Sequence, residues 1–76
     1  MERIAVFPGS FDPITKGHES IVKRAIPLFD KIIIAIGINA GKNSMFDLEQ
    51  RKSWIKSTYF NIKKIFERFF YKNIIL

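Results

Sequence analysis

Thirteen consecutive residues hold the side chains whose types and spacing could do chemistry: Val6-Phe7-Pro8-Gly9-Ser10-Phe11-Asp12-Pro13-Ile14-Thr15-Lys16-Gly17-His18. The stretch continues an apolar run from Ile4, passes through a loop punctuated by Pro8, Gly9 and Pro13, and is expected to open a helix at Gly17-His18. A loop that joins a buried strand to a helix N-terminus presents backbone N–H groups and the positive end of a helix dipole, which suits an anion. Ser10 adds a hydroxyl, and Gly9 and Gly17 let a phosphate come close to the backbone. Thr15 and His18 place a hydroxyl and an imidazole three residues apart at the same helix mouth. The chemistry these residues suit is the binding of a nucleotide's phosphates.

The elements that must position this loop are legible on either side of it. Ile4 to Phe7 and Ile32 to Ile38 are short, β-branched apolar runs without alternation, the pattern of parallel strands covered on both faces. Between them Ile21, Val22, Ala25, Leu28 and Phe29 recur at helical spacing, with Lys23 and Arg24 facing out, which predicts a helix from His18 to Phe29. Pro27 removes a backbone donor and is expected to kink or end that helix early. The unit is βαβ with a right-handed crossover.

Asn39 to Ser44 reads as a loop. Asp47 is placed to cap a second helix with Gln50 at its third position. From Ile55 onward the apolar residues Tyr59, Ile62, Ile65, Phe66, Phe69 and Phe70 are spaced by three or four, and no Gly or Pro follows Gly41. This predicts one long helix from Leu48 to about Phe70, with Asn61 its weakest point and Asn73 to Leu76 frayed. Its apolar far end, with Phe66, Phe69, Phe70 and Ile74, is expected to drive irregular self-association. The fold class is α/β.

Seventy-six residues allow one small domain with a thin core. There is no cysteine, so disulfides and thiolate metal sites are excluded, in keeping with a reducing compartment. The longest apolar run, Ile32 to Ile38, is too short to span a membrane and no leader is visible. A net charge of +6 suits anionic partners, but a Lys- and Ile-rich composition is the first reading of that total. No nucleic-acid or membrane partner is expected.

Pro8 to His18 resembles the first signature of bacterial phosphopantetheine adenylyltransferase, in the nucleotidylyltransferase superfamily whose H-x-G-H motif here takes the T-x-G-H form. Lys42, followed by Met45-Phe46-x-Leu48-Glu49-x-Arg51, is similar to the family's next stretch without a gap. The likeness covers Met1 to about Thr58. Residues 59–76 match nothing in the family, and its later R-G-L-R and I-S-S-S motifs are missing. The chain therefore reads as one truncated domain, residues 1–76, a Rossmann-like half-domain of a βαβ unit and a long C-terminal helix. Its end reads as one replaced by a frameshift, with a genuinely short paralogue the other reading.

The resemblance implies adenylyl transfer from ATP to 4′-phosphopantetheine, giving dephospho-coenzyme A and pyrophosphate in the cytoplasm, with Mg²⁺ carried on the nucleotide. It implies that His18 is catalytic and donates to the α-phosphate, and that Ser10 and the Phe11 backbone contact nucleotide phosphate. It also implies that Ser10 and Lys42 hold the phosphopantetheine, and that the assembly is a hexamer. Thr15 and Gly17 shape the motif, and Asp12 holds a turn and not a metal. Lys16, Lys23 and Arg24 form a solvated face, and Arg51 fits the pattern with no chemistry assigned. Two other readings stand beside this one. One is a non-catalytic remnant that binds nucleotide weakly or self-associates; the other is a different nucleotidylyltransferase of the superfamily.

Overall fold

The computed structural model describes residues 1–38 and 45–71, with Tyr71 described by its backbone alone. Strand β1 is Ile4–Gly9, helix α1 Lys16–Ala25, strand β2 Lys31–Ile38, helix α2 Leu48–Tyr59 and strand β3 Ile65–Tyr71. A 3₁₀ turn, Ile26–Leu28, follows α1 and carries Pro27 in its first turn, so the proline ends the α-helix early as expected. The sheet has the order β1-β2-β3 and both pairings are parallel. The expected loop from Asn39 to Ser44 and the frayed end from Asn73 lie outside the described residues.

The long C-terminal helix does not form. Helix α2 stops at Tyr59, the backbone turns through Asn61, and residues 65–71 pair with β2 from Ile32↔Ile65 to Ile38↔Tyr71. Two physical facts account for the change. Ile65-Phe66-Glu67-Arg68-Phe69-Phe70-Tyr71 is aromatic and β-branched, a composition that fits a pleated surface, and a spacing of three or four does not exclude a strand. The outer edge of β2 also offers a row of backbone partners that a helix would leave unpaired. Asn61 is indeed where the helix gives way, without a Gly or Pro, because Asn is a poor helix former.

One core supports the loop. Ile32, Ile34 and Ile36 are buried on one face of β2, where Val22 of α1, Ile55 and Tyr59 of α2, Ile65 of β3 and Phe11 of the loop cover them. Both helices therefore pack on the same face of the sheet. The opposite face is open: Ile4 and Val6 are 48% and 60% exposed, and the register sets them level with Lys31 and Ile33. The expectation of strands covered on both faces is thus met on one face only.

Lys64 fastens β3 to the turn after α1. Its Nζ donates to the Ile26 and Phe29 carbonyls at 2.9 and 3.0 Å.

The Tyr59 hydroxyl is buried without a hydrogen-bond partner among the described residues. Burial, reinforced by the negative charge of Glu19, pushes its pKa up from 10.0 to about 12. A neutral phenol is favoured in the folded chain, so this group's contribution is complete below pH 10 and declines as pH climbs toward 12. Tyr59→Phe removes the orphan hydroxyl and is expected to raise stability by about 1 kcal/mol. It should also flatten the alkaline loss, and urea unfolding at pH 7 and pH 11 checks both effects. A destabilised variant would show that the hydroxyl has a partner in solution.

Candidate functional site

The site residues converge where β1 ends and α1 begins. Thr15 caps α1 in extended conformation (φ −122°, ψ 171°), and its Oγ1 accepts from the His18 N–H at 3.4 Å. The Thr15 N–H in return donates to His18 Nδ1 at 2.9 Å. This is a capping box with histidine in the place usually held by Glu or Gln. The bond assigns the ring's tautomer: Nδ1 accepts, so the neutral imidazole carries its proton on Nε2, at the end of the ring away from the cap. The Lys16 and Gly17 N–H groups have no intrahelical acceptor at this position.

Phe11 braces the histidine from below. Its ring is fully buried, 4.6 Å from the His18 ring centroid and 5.3 Å from that of Phe7. Its backbone sits in the left-handed region at φ 49°, uncommon for a bulky residue and held by the packing around it. A Cβ on Gly9 would meet the buried Phe11 ring at 3.0 Å, so a larger residue there would have to displace the ring by a few tenths of an ångström. Gly17 differs. A Cβ there meets only Thr15 Oγ1, at 3.6 Å, so the missing side chain keeps the helix mouth open and does not relieve a clash.

Asp12 is the loop's anchor. Its two carboxylate oxygens accept from the Met45 and Phe46 N–H groups, both at 2.7 Å, which ties the loop to the segment preceding α2. The residue type suggested a local turn, but the carboxylate instead clamps the loop to backbone thirty-three and thirty-four positions away. Arg51 is the residue whose position sequence reasoning missed. It is 4% exposed, and its Nη1 donates to the Ser10 carbonyl at 3.0 Å and the Gly37 carbonyl at 3.3 Å. Its spacing of three from Leu48 and four from Ile55 puts it on the apolar face of α2, a signal set against arginine's usual place in water.

The structure brings Ser10, Phe11, Thr15, Gly17 and His18 together, with Ser10 exposed and His18 half-buried. Lys42 lies outside the described residues. Lys16, Lys23 and Arg24 are exposed. Among the described residues no helix is long and apolar enough to cross a membrane, and no group of three or more His, Asp or Glu side chains could hold a metal.

The cytidylyltransferase-like family model matches residues 6–72. The chain belongs to that family. The match runs past Thr58, where the motif-by-motif likeness stops, and includes β3. Among curated cytidylyltransferase-like relatives, the phosphopantetheine adenylyltransferase of Flavobacterium johnsoniae is 62% identical over 63 residues, 83% of this chain and 41% of its own length. That of Flavobacterium psychrophilum is 67% identical over 57 residues, 75% of this chain and 38% of its own length. The chain thus spans about two fifths of these relatives.

Solved structures show the same fold. A bifunctional NMN adenylyltransferase/ADP ribose pyrophosphatase from Francisella tularensis, complexed with AMP and a manganese ion, matches at TM-score 0.76 and 30% identity. The match covers 95% of this chain and 23% of that one. A NadR protein in complex with NAD and AMP-PNP matches at TM-score 0.83 over the whole chain and 22% of its own, at 16% identity, a likeness of fold alone. The chain is a Rossmann-like α/β nucleotidyltransferase fold.

Proposed function

We propose that the loop from Ser10 to His18 is the phosphate-binding wall of a pantetheine-phosphate adenylyltransferase, acting in coenzyme A synthesis in the cytoplasm. The observation that carries this reading is the Thr15–His18 capping box, which holds an Nε2–H donor beside the open N-terminus of α1. In the reaction a phosphate oxygen of 4′-phosphopantetheine attacks the α-phosphorus of ATP. The bond from that phosphorus to the bridging oxygen breaks, and pyrophosphate leaves. The nucleophile is already ionised, so the protein's part is to position the reactants and stabilise charge on the phosphoryl oxygens.

His18 Nε2–H donates to the α-phosphate, and Ser10 with the Phe11 N–H holds nucleotide phosphate. Ser10 and Lys42 grip the phosphate of the acceptor. The greater identity to the two phosphopantetheine enzymes than to the NMN adenylyltransferase favours this acceptor.

Both Asp12 oxygens are engaged by backbone N–H groups, and the described residues offer no other clustered carboxylates. These residues fit a Mg²⁺ ion held by the nucleotide's own phosphates and its waters, where it would neutralise phosphate charge. The open sheet face with Ile4 and Val6 is proposed to be covered by the remainder of such a domain, from which the hexamer of the resembled enzymes would be built.

His18→Asn tests the reading without dismantling the helix cap. Asn places Oδ1 where Nδ1 sits, so the Thr15 N–H keeps its acceptor, and the side chain ends short of Nε2. One charge-assisted hydrogen bond is lost, about 1.5–3 kcal/mol or roughly ten- to a hundredfold in ATP affinity. Calorimetric titration of Mg·ATP should show that loss with the melting temperature little changed. Equal affinities for the two proteins would remove His18 from the phosphate site.

A further inference from the structure

We propose that Arg51 is a positioning residue of the phosphate loop, one that aims the Phe11 N–H into the anion site; the inference rests on the functional reading above. Three observations carry it. The side chain is almost wholly buried, yet no carboxylate among the described residues pairs with it. Its Nη1 is divided between two backbone carbonyls, Ser10 in the loop and Gly37 near the end of β2. Its Nε is buried and makes no hydrogen bond with any described residue. Burying a guanidinium on two carbonyls and one empty donor is costly for a chain that needs only a packed core. That cost is explained if the charge serves the loop above it.

The geometry of the peptide unit says how. The only cis peptide among the described residues joins Asp12 to Pro13, so the Ser10–Phe11 unit is trans and planar, with its C=O and N–H pointing in opposite directions. Arg51 draws the Ser10 carbonyl inward. The Phe11 N–H must then point away from Arg51, out of the protein core. A carbonyl turned the other way would face an incoming phosphate with a negative dipole and withdraw one donor. The positive φ of Phe11 fixes the same orientation from the other side of the N–H, and its buried ring prevents the unit from flipping as a rigid piece. The guanidinium also sets a positive charge, paired with no carboxylate among the described residues, beneath the loop, where low dielectric gives it reach.

Lysine cannot replace this arrangement. It keeps the charge but carries no planar fork that can span two carbonyls of fixed position. Met keeps the volume and loses both. The two functions of Arg51 therefore separate across the two variants.

The test titrates inorganic triphosphate into ¹⁵N-labelled wild type, Arg51→Lys and Arg51→Met, following backbone amides and Arg Nε–H signals, with melting temperature measured alongside. In wild type the Phe11 amide is expected to shift with the same midpoint as the Arg51 Nε–H. In Arg51→Lys the Phe11 response should be lost while affinity falls about three- to tenfold; in Arg51→Met it should be lost with a fall above tenfold. The Gly17 amide should still respond in any variant that stays folded. A Phe11 response and affinity within twofold of wild type in either folded variant would overturn the inference. If neither variant folds, the wild-type Arg51 Nε–H decides: a shift that follows Phe11 supports the coupling, and a signal unmoved at saturation overturns it. No response to triphosphate anywhere in wild type overturns the anion-site reading itself.

Discussion

The 76-residue chain, supplied with ATP, magnesium and 4′-phosphopantetheine, is expected to release pyrophosphate at least about 10³-fold more slowly than the full-length Flavobacterium johnsoniae enzyme, because loss of one preorganised donor already costs about 10²–10³. On the function proposed above, the described residues form one wall of the site. Ser10, Phe11, Gly17 and His18 line the end of β1 and the start of α1, and the sheet face beyond Ile4 and Val6 is open to water. About three fifths of each relative's own length lies outside the matched part, enough chain to close that face and complete the pocket. Water in an unclosed site weakens every electrostatic contact and lets the two substrates drift from their reacting geometry. A coupled pyrophosphate assay on both proteins at matched concentration checks this. Turnover within tenfold of the full-length enzyme, abolished by His18→Asn, would show that one wall suffices.

Asp12→Ala carries the second large effect, on stability and on the acceptor side of the site. The carboxylate takes two backbone N–H groups at 2.7 Å, and hydrogen bonds to a charged group are worth about 1.5–3 kcal/mol each. Allowing for relaxation, the variant should lose about 2–4 kcal/mol, a large share of the roughly 4–11 kcal/mol available to a domain of this size. The loss releases the segment that begins three residues after Lys42. Urea unfolding should therefore show a lower midpoint, and phosphopantetheine binding should suffer more than ATP binding. A midpoint unchanged within error would mean that the loop is held by its packing on Phe11 alone.

What was legible in the sequence follows the range over which each signal acts. The cap at Asp47 and the break at Pro27 are local, set by residues within a turn of one another, and each appears where its residue type places it, whereas α1, expected to open at Gly17-His18, starts at Lys16 on a Thr15 cap. Strands β1 and β2 are short β-branched apolar runs with no competing helical period. Strand β3 failed because its spacing fits a helix as well, and the deciding factor was the free edge of β2, more than thirty residues earlier in the chain. Arg51 was legible as a motif residue but not as a support for Ser10, since that contact spans forty-one positions. His18 lay between the two cases. Its place at the helix mouth could be read from Thr15-Lys16-Gly17-His18, whereas the direction of its Nε2–H depends on the bond from the Thr15 N–H.

The reading of the loop as a phosphate site meets its most direct test in amide shifts of the wild-type chain, titrated in parallel with ATP and with adenosine at 150 mM salt. ATP is expected to move Gly9, Ser10, Phe11, Gly17 and His18 together along one saturating curve, and adenosine to leave them still. A nucleotide response scattered over the exposed Lys and Arg residues, or the same loop shifts with adenosine, would contradict it.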